Sequence, residues 1–393
     1  MNEKQKPSIR FKGFTEAWEQ RKVIEMFEVT RGYVLAATLT EANRTDKTPY
    51  PIYSSQTRDN GLMGYYKDYL YEDAITWTTD GANAGTVNYR AGKFYCTNVC
   101  GVLLSNEVKA NQMIAEALNN VAKRYVSYVG NPKLMNNVMA DIEIQIPVQS
   151  KEREQISHFL ATLDCLIILH QRKYDKLVNV KKSMLEKMFP RDEKNVPEIR
   201  FSGFTEAWEQ RKLGEIAGRT YGGGTPSTSR PEYWNGNIPW IQSSNLTEHE
   251  LFNSNIQKYI TNEGLAKSAA QLIPSNSIAV VSHVGVGKLV FMPFHYTTSQ
   301  DFISLSELKA EPIFICYSVY KRLQNDIHIV QGSAIKGITK DDLLSKEILL
   351  PNEPEQNKIA KYFSNLDHLI TLRQREVEKL QNIKKSCLEK MFI

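Results

Sequence analysis

One stretch of the chain has residue types that resemble a phosphate-binding loop. Ser282–Leu289 reads Ser-His-Val-Gly-Val-Gly-Lys-Leu and shares a Gly-Lys pair with the motif G-x-x-x-x-G-K-[ST]. However, Ser282 replaces the first glycine, and Leu289 replaces the hydroxyl residue that binds magnesium. The glycine-rich run Tyr221–Pro226 ends in a proline turn, with no helix to offer its amides to a phosphate. Neither stretch predicts nucleotide chemistry.

Other catalytic signatures are missing from the sequence. The chain has no Pro-Pro pair, so it lacks the Asp/Asn-Pro-Pro-Tyr loop of adenine-amino methyltransferases, and it also lacks a glycine fingerprint for a methyl-donor cofactor. The Glu-x-Lys triplets at 107–109 and 307–309 have no convincing upstream Asp partner. Cys96 and Cys100 have no second Cys/His pair nearby, so we expect buried thiols and no metal site. The sequence predicts a chain that holds no cofactor and performs no catalysis alone.

Residues suited to DNA contact cluster in polar loops that follow strand-like runs. These runs are 50–53 and 74–77 in the first half of the chain, and 238–241 and 277–281 in the second half. Hydroxyl, amide and guanidinium groups can bond base edges and phosphates, although Ser, Asn and Gly also dominate ordinary turns. The candidate DNA-binding residues are Arg31, Tyr33, Ser54, Ser55, Gln56, Arg58, Thr79, Asp80, Asn83 and Lys133 in the first half, and Arg219, Tyr221, Thr225, Ser227, Gln242, Ser244, Asn245, His283, Lys288 and Lys336 in the second.

Length and composition limit the kinds of protein that could carry these loops. The 393 residues suggest two or three domains, and 41% hydrophobic with 24% charged residues is ordinary for a folded protein. The net charge of +5 permits nucleic-acid binding without implying it. No run approaches the length of a membrane span, and the first residues lack the apolar core of a signal peptide. The five scattered cysteines favour a reduced, cytoplasmic location.

The chain contains an internal repeat. Residues 9–22 (IRFKGFTEAWEQRK) and 199–212 (IRFSGFTEAWEQRK) match at thirteen of fourteen positions, and 177–189 matches 380–392 at ten of thirteen. The segments between these borders differ in length and show little resemblance. Core packing tolerates many apolar exchanges, so such near-identity indicates that both copies present one surface, either to each other or to two copies of one partner. A recent duplication that has not yet diverged is the alternative.

A long helix with a heptad pattern is predicted in each copy. Apolar positions recur at alternating spacings of three and four, which is typical of a coiled coil. Polar residues interrupt the seam at the same two places, His170 with Arg373 and Lys181 with Lys384. For His170 and Arg373 we expect solvated or snorkelling seam positions, and no ligand or catalytic role. The predicted helix seam comprises Leu160, Leu163, Ile167, Tyr174, Leu177, Met184, Phe363, Leu366, Ile370, Val377, Leu380 and Cys387.

The two helices, as copies of one unit, are expected to pair with each other about a pseudo-two-fold axis. If that axis is perpendicular to them they run antiparallel, and about 33 residues form a rod of roughly 50 Å. Short strands are predicted before each helix, at 142–146 and 347–350, and each ends at a proline. The charged, proline-flanked segment 190–198 is the predicted linker between the halves.

This order of constant segment, variable segment and constant helix, taken twice, resembles the specificity (S) subunit of type I restriction–modification systems. The resemblance spans nearly the whole chain, and the order of its motifs is more specific than any one of them. The matching pieces are Arg10-Phe11-Lys12-Gly13-Phe14 with Trp18, Gly224-Thr225-Pro226-Ser227 before Ile238-Pro239-Trp240-Ile241, Glu355-Gln356-Asn357-Lys358-Ile359 with Leu366-Asp367, and the related Glu152-Arg153-Glu154-Gln155-Ile156 with Leu163-Asp164.

The resemblance implies an α+β fold of two mixed α/β target recognition domains, separated by two long antiparallel coiled-coil helices with an internal pseudo-two-fold duplication. The implied boundaries are a constant segment with recognition domain 1 (1–148), helix 1 (149–189), a linker (190–198), a second constant segment with recognition domain 2 (199–352), and helix 2 (353–393). Each domain would read one half of a bipartite double-stranded DNA target.

The same resemblance implies the partners. The paired helices would set the spacing of the half-sites and dock two methyltransferase (modification) subunits, which use S-adenosylmethionine. Restriction subunits, which translocate and cleave DNA with ATP and Mg, would join them. Two other classes of protein remain open: an enzyme fused to recognition domains, which methyl transfer by the purified chain would reveal, and a scaffold that binds protein or glycan, which a sequence-selective gel shift would exclude.

Overall fold

The structure, a computed structural model, describes residues 6–55, 58–191, 194–329 and 337–392. The chain forms two compact units, of which the first is Met1–Arg172 with Arg373–Ile393 and the second is Lys173–Leu372. Each unit therefore contains one variable segment and parts of both long helices. Within the described ranges, no helix is both long and apolar enough to cross a bilayer. The candidates Gln56 and Lys336 lie outside the described residues, as does the side chain of Arg58.

The first constant segment and the variable segment after it fold into strands with three short helices. The strands are β1 (Glu19–Lys22), β2 (Phe27–Arg31), β3 (Tyr50–Tyr53), β4 (Leu62–Tyr66), β5 (Tyr71–Thr78), β6 (Val87–Cys96), β7 (Cys100–Ser105) and β8 (Glu143–Ile146), and the helices are α1 (Val23–Met26), α2 (Gln112–Ala122) and α3 (Asn136–Asp141). The long helix α4 (Ser150–Lys187) follows.

Six of these strands form one mixed sheet in the order β2-β7-β5-β6-β3-β4. Its pairs are antiparallel except for β3 and β6, which run parallel with Tyr53 opposite Cys96. The predicted strands at 50–53 and 74–77 are confirmed as β3 and part of β5. The core forms where buried side chains of β5 and β7 meet the apolar face of α2, including Ile75, Leu103 and Ile114.

The second constant segment and the variable segment after it contain strands and helices in a similar order. The strands are β9 (Glu209–Lys212), β10 (Ala217–Gly222), β11 (Trp234–Ile241), β12 (Lys258–Ile260), β13 (Ser277–Val281), β14 (Leu289–Met292), β15 (Thr297–Thr298), β16 (Phe302–Leu308) and β17 (Glu347–Leu350). The helices are α5 (Leu213–Ile216), α6 (Asn262–Ala266), α7 (Pro312–Ile329), α8 (Lys340–Ser345) and the long α9 (Glu353–Met391).

The second unit repeats the sheet topology of the first with one strand divided. One sheet has the order β10-β16-β13-β14 and another has the order β12-β11-β15. Strands β14 and β15 together take the place of β6, because β11 pairs parallel to β15 as β3 pairs parallel to β6. The strands predicted at 238–241 and 277–281 are confirmed within β11 and as β13. Two segments of dissimilar sequence thus share one topology.

The strands predicted before the long helices are confirmed. In each unit that strand pairs antiparallel with the strand of the constant segment, β8 with β1 and β17 with β9. Both end before a proline, at Pro147 and Pro351. Proline lacks the N–H that would continue the ladder, so the strand stops there.

The two long helices pair antiparallel within each unit. In the first unit, Asp164 and His170 of α4 contact Lys384 and Glu376 of α9, so the residue numbers rise on one helix as they fall on the other. In the second unit, Lys181 contacts Asp367. All twelve predicted seam side chains are buried or half-buried. The two mixed α/β domains and the paired helices agree with the predicted fold class.

Each constant segment joins the start of one long helix to the end of the other. In the first unit, the Arg10 guanidinium donates to both carboxylate oxygens of buried Glu152 at 2.6 and 2.7 Å. Trp18 packs edge-on against Phe392 with ring centroids 6.1 Å apart. A bidentate pair of this kind fixes both distance and angle, so it holds the segment on the first turn of α4.

The second unit repeats these contacts residue for residue. Arg200 donates to both carboxylate oxygens of Glu355 at 2.7 Å, and this bond raises the pKa of Arg200. Trp208 packs edge-on against Phe189, with ring centroids 5.9 Å apart. The identical residues of the repeat therefore have identical structural roles in both units.

Candidate nucleic-acid interface

Several loops of the first unit meet at one edge of its sheet. Backbone bonds join them: Thr79 N donates to Val99 O at 3.0 Å, Gly81 N to Pro132 O at 2.9 Å, and Leu134 N to Thr79 O at 2.8 Å. We call this set of loops the first loop edge, which comprises 31–34, 54–55, 79–85, 97–99 and 127–135. Most of the first-half candidates lie on it.

The loop after β2 is held against this edge by a close backbone approach at Gly32. Gly32 N donates to Cys100 O at 2.9 Å and Tyr33 N donates to Cys96 O at 3.1 Å. A Cβ on Gly32 would lie 2.2 Å from Cys96 O and 2.3 Å from Thr97 O, so only glycine fits. As a result Arg31 and Tyr33, on either side, point exposed side chains outward.

The polar side chains of the first loop edge are partly used to hold the loops together. Ser54 Oγ accepts from Thr97 Oγ1 at 3.2 Å, and Asn83 Nδ2 donates to Ser55 O at 3.2 Å. Their remaining hydrogen-bonding groups are half-exposed. These candidates combine loop positioning with an accessible surface.

One exposed ion pair lies on the first loop edge. Lys133 Nζ is 3.6 Å from Asp80 Oδ1, and Thr79 Oγ1 donates to Asp80 Oδ2 at 2.7 Å. Thr79 itself is buried, whereas about half of the Lys133 side chain is exposed. An exposed pair of this kind is weak, so the Lys133 ammonium is available to an external anion.

The second unit has a matching second loop edge, made of residues 223–225, 242–245, 282–288, 299–301 and 337–338. Three of its backbone bonds repeat those of the first. Ser282 N donates to Asp301 O as Thr79 N donates to Val99 O, and Ile338 N donates to Ser282 O as Leu134 N donates to Thr79 O. Likewise Ser299 N donates to Ile241 O at 2.9 Å and Thr97 N donates to Tyr53 O at 2.9 Å. The two edges share one backbone frame.

A glycine is required at the same place in this second frame. A Cβ on Gly223 would lie 1.8 Å from Ser299 O, just as one on Gly32 would overlap Thr97 O. The next residue, Gly224, donates its N–H to Thr298 O at 2.8 Å. This contact positions Thr225, whose exposed hydroxyl donates to Gln300 Oε1 at 2.8 Å.

The loop after β11 is built around a buried asparagine. Gln242 N donates to Asn245 Oδ1 at 2.8 Å, and Asn245 Nδ2 donates to Asn255 O at 2.7 Å. Asn245 is only 5% exposed, so its side chain positions the turn and does not face outward. Gln242 and Ser244 remain accessible, with Gln242 Nε2 donating to Ser244 Oγ at 2.9 Å.

The loop after β13 presents an exposed histidine. Buried Ser282 contacts His283 Nδ1 through its hydroxyl at 2.9 Å. Lys288, on the return of the same loop, donates its Nζ to Leu246 O at 3.1 Å and is half-buried. His283 occupies the place that Asp80 has in the first frame. Each directly follows the residue whose N–H donates across the loop edge, Ser282 in the second unit and Thr79 in the first.

Three second-half candidates lie away from the loops of this edge. Arg219 is in mid-strand in β10, opposite Ser306, with its guanidinium carbon 5.4 Å from the ring centroid of Tyr221. Tyr221 is also within β10. The carbonyl of Ser227 accepts from Nε1 of Trp234, which is the first residue of β11, whereas Gln242 follows the end of that strand.

Sequence reasoning missed a buried cation beneath the first loop edge. Arg90 in β6 is 8% exposed and lies over the ring of Tyr53, 3.7 Å from its centroid. It donates to Thr76 Oγ1 at 3.1 Å and to Asn60 O at 2.7 Å, and burial lowers its pKa. This residue ties the turn after β3 to the sheet. An arginine inside a strand pattern is the only sign that the sequence gives of it.

The cysteines near Arg90 are structural. Cys96 and Cys100 are both buried, as predicted, and burial raises the pKa of Cys100 to about 11 and that of Cys96 further. A thiol with a raised pKa is a poor nucleophile and a poor metal ligand. Across the described ranges, no three His, Cys, Asp or Glu side chains group in a way that could hold a metal ion.

A lysine attaches the first recognition domain to the helix pair. Lys384 of α9 lies 2.7 Å from Asp164 of α4 and 2.9 Å from Glu116 of α2, so it links three elements. Burial lowers the pKa of Lys384, but its bonds to the two carboxylates outweigh this effect and raise it. This polar seam position is therefore an ion-pair site.

The pseudo-equivalent lysine does the same in the second unit. Lys181 of α4 lies 2.5 Å from Asp367 of α9, and Tyr317 of α7 donates its hydroxyl to the same carboxylate. Burial and the neighbouring Asp367 raise the pKa of Tyr317, so this hydroxyl stays protonated. Each recognition domain is thus bonded to both long helices through one Lys–Asp pair.

The other polar seam position also forms ion pairs. His170 Nδ1 lies 2.8 Å from Glu376 Oε2, which Arg373 Nη1 approaches to 2.6 Å. The bond from Arg373 is the main cause that lowers the pKa of Glu376. His170 and Arg373 therefore share one carboxylate, which is a structural role.

Comparison with known proteins identifies the family. The family described as "Type I restriction modification DNA specificity domain" matches residues 15–179 and again 205–382, which is most of the chain. A putative type I specificity subunit of Mycoplasma pneumoniae is 26% identical over 354 residues, covering 86% of each chain. The specificity subunit of an Escherichia coli type I restriction enzyme is 31% identical over 198 residues, 44% of this chain and 47% of that one.

A solved structure has the same fold over the full length. The crystal structure of the type I restriction–modification S subunit from M. genitalium superposes with a TM-score of 0.74, covering 99% of both chains at 14% sequence identity. With two matched specificity segments and two recognition frames on paired helices, the chain belongs to the DNA specificity subunits of type I restriction–modification systems, which are non-catalytic recognition subunits.

Proposed function

We propose that each unit reads one half of a bipartite double-stranded DNA target, the first loop edge one half and the second loop edge the other. The observation that carries this is the shared backbone frame with different side chains. Residues at matched places differ, as in Asp80 and His283, although the bonds that place them are the same. A reader of two unlike half-sites requires this combination of constant frame and variable chemistry.

Base readout in this proposal comes from the accessible side chains of each edge. Tyr33, Ser54 and Asp80 serve the first half-site, and Thr225, Gln242 and His283 serve the second, with hydrogen bonds worth about 1–3 kcal/mol each where they are bidentate. Asn245, Arg90 and the two frame glycines position these loops. The chain acts in the cytoplasm, where its DNA target is found.

The paired helices set the spacing between the half-sites in this proposal, and the repeated surfaces dock two modification subunits. The docking proposal is supported by the exposed residues of the constant segments. Thr15, Glu16 and Ala17 are exposed in the first copy, and their counterparts are identical and exposed in the second, where folding alone does not require identity. The modification subunits bring S-adenosylmethionine, and restriction subunits bring ATP and Mg.

Methylome sequencing tests the reading proposal. A host that lacks its own adenine methylation would express this chain with its modification subunits, and a bipartite methylated motif is expected. Tyr33→Ala with Ser54→Ala should change only one half of the motif, and Thr225→Ala with Gln242→Ala only the other. Lys267→Ala, at the exposed position directly after α6, is the control and should change neither. A motif that changes in both halves with one pair of substitutions contradicts the proposal.

Complex stoichiometry tests the docking proposal. Glu16→Arg should reduce the number of modification subunits bound per chain from two to one, and adding Glu206→Arg should reduce it to none. Light scattering coupled to size-exclusion chromatography measures this directly. Glu72→Arg, an equally exposed glutamate outside the repeat, should leave two subunits bound. Unchanged binding by the double variant would assign docking to another surface.

A further inference from the structure

The loop between α2 and α3 forms a finger on the first loop edge. Ser127 and Lys133 exchange two backbone hydrogen bonds of 2.8 and 2.9 Å, which close the base of the loop. Gly130 turns the chain with a φ of +77°, a conformation that favours glycine. The finger is thus an ordered hairpin-like projection rather than a loose connection.

The base of the finger is fixed to the candidate DNA-binding loop. Gly81 N donates to Pro132 O at 2.9 Å, and Leu134 N donates to Thr79 O at 2.8 Å. Leu134 is fully buried and its carbonyl accepts from Trp77 Nε1 at 3.1 Å. Any DNA that contacts the Thr79–Gly81 loop therefore lies beside the finger.

The tip of the finger is apolar and exposed. Tyr128 is 70% exposed and Val129 is 93% exposed, although a valine gains nothing from contact with water. Cations lie at both ends of the loop, Lys123 and Arg124 before it and Lys133 after it, and all three are exposed. An apolar tip between cations matches a nucleic-acid groove, in which phosphates border the base edges.

We infer that this fingertip reads a thymine in the first half-site through the 5-methyl group in the major groove. The methyl group of thymine is the one aliphatic feature on a major-groove base edge, and aliphatic side chains are its usual contacts. Val129 supplies the contact and Tyr128 shields it from water. This inference rests on the proposed function of the first unit and names a base that it reads.

The test removes the methyl group from the DNA and from the protein separately. The full chain in complex with its modification subunits is titrated with duplexes of its own target in which each thymine of one half-site is replaced by deoxyuridine. At one position of the first half-site, binding should weaken about fourfold, the effect of leaving one methyl group unburied. The variant Val129→Ser, which removes both methyl groups of the side chain, should bind the thymine and deoxyuridine duplexes almost equally.

Each outcome of this test has a distinct meaning. Val196→Ser, at an exposed valine in the linker, is the matched control and should keep the fourfold preference. A half-site without thymine, no loss with deoxyuridine at any position, or a preference that persists in Val129→Ser would overturn the inference while leaving the bipartite function intact. Failure of the wild-type complex to select any sequence would instead overturn the proposed function on which the inference rests.

Discussion

In the first unit the loop edge presents Val34, Ser54 and Asp80 at the places where the second unit presents Thr225, Gln242 and His283. The backbone bonds that hold these two sets are nevertheless the same. Bonds between main-chain groups do not depend on side-chain identity. This comparison teaches that the fold can keep its frame while the residues at its edge change freely.

The interiors beneath the two edges also differ. The first unit buries the Arg90 guanidinium over Tyr53, whereas the second buries hydroxyl groups, with Tyr296 donating to Ser304 Oγ at 3.0 Å and Ser277 to Ser306 Oγ at 2.8 Å. Both arrangements satisfy buried polar groups, which would otherwise be costly. The frame therefore tolerates a change of core chemistry as well as a change of edge.

The largest expected effect comes from breaking the shared frame. Gly32→Ala and Gly223→Ala each place a Cβ within 2.3 Å of backbone oxygen, and backbone cannot move aside as a flexible side chain can. We expect each substitution to lower the free energy of unfolding by about 3 kcal/mol and to abolish methylation of the bipartite target. Urea denaturation and a methylation assay measure the two effects.

The adjacent glycine provides the control for this prediction. A Cβ on Gly222 would have no heavy atom within 4 Å, so Gly222→Ala should leave stability and methylation nearly unchanged. If Gly32→Ala folded and methylated like the wild type while Gly223→Ala did not, the two units would not share a frame requirement.

The Lys–Asp pairs should show a smaller and unequal effect. Lys384→Met leaves the carboxylates of Asp164 and Glu116 without their cation, whereas Lys181→Met leaves Asp367 with the Tyr317 hydroxyl. Removing one partner of a buried pair costs about 3–5 kcal/mol, and partial exposure reduces this to about 2 kcal/mol for Lys384. The remaining bond from Tyr317 to Asp367 reduces it further, to about 1 kcal/mol for Lys181. Thermal or urea unfolding measures both values.

The pH dependence of the Lys384 contribution follows from its raised pKa. A lysine whose pKa is raised on folding stabilises the protein fully below its unfolded pKa of about 10.4, and the contribution is lost only as pH rises through the folded value. The difference between wild type and Lys384→Met should thus stay constant from about pH 6 to 9. Lys385→Met, at an exposed position of the same helix, should leave the free energy of unfolding unchanged. An equal loss of stability in Lys384→Met and Lys181→Met would contradict the predicted inequality of the two pairs.

Periodicity and repeats were sufficient to predict the local elements. The heptad predicted the long helices, and β-like runs predicted β3, β5, β11 and β13, because those signals lie within a few residues of each other. The common topology of the two variable segments could not be predicted, since it depends on backbone pairing between distant strands. The carboxylates around Lys384 were missed for the same reason, as Glu116 and Asp164 are close only in the folded chain.

Candidate site residues were harder to place than elements. Polar residues in loops predicted both outward groups such as Gln242 and the buried Asn245, because the residue types of turns and of DNA contacts overlap. Arg90 was missed for a different reason. The sequence shows only an arginine within a strand, which does not indicate that its side chain holds a loop. Exposure and bonding partners distinguish these cases, and only the folded structure supplies them.

The smallest expected effect concerns Lys133, and it distinguishes a cation that contacts phosphate from a side chain that reads a base. The Lys133 ammonium contributes little to stability, because its pair with Asp80 is exposed. We expect Lys133→Ala to weaken DNA binding a few-fold for all sequences equally, and to lower the slope of log K against log salt by about one. Fluorescence anisotropy at several salt concentrations, with target and unrelated duplexes, measures both quantities. Lys109→Ala removes the same charge beyond the far end of β7 and should change neither quantity.

In contrast, His283→Ala, at the place of Asp80 in the second frame, should reduce the preference for the target over unrelated DNA without changing the salt slope. If Lys133→Ala reduced that preference instead, the cation would be reading a base, and the first edge would depend on charge more than on its apolar surface.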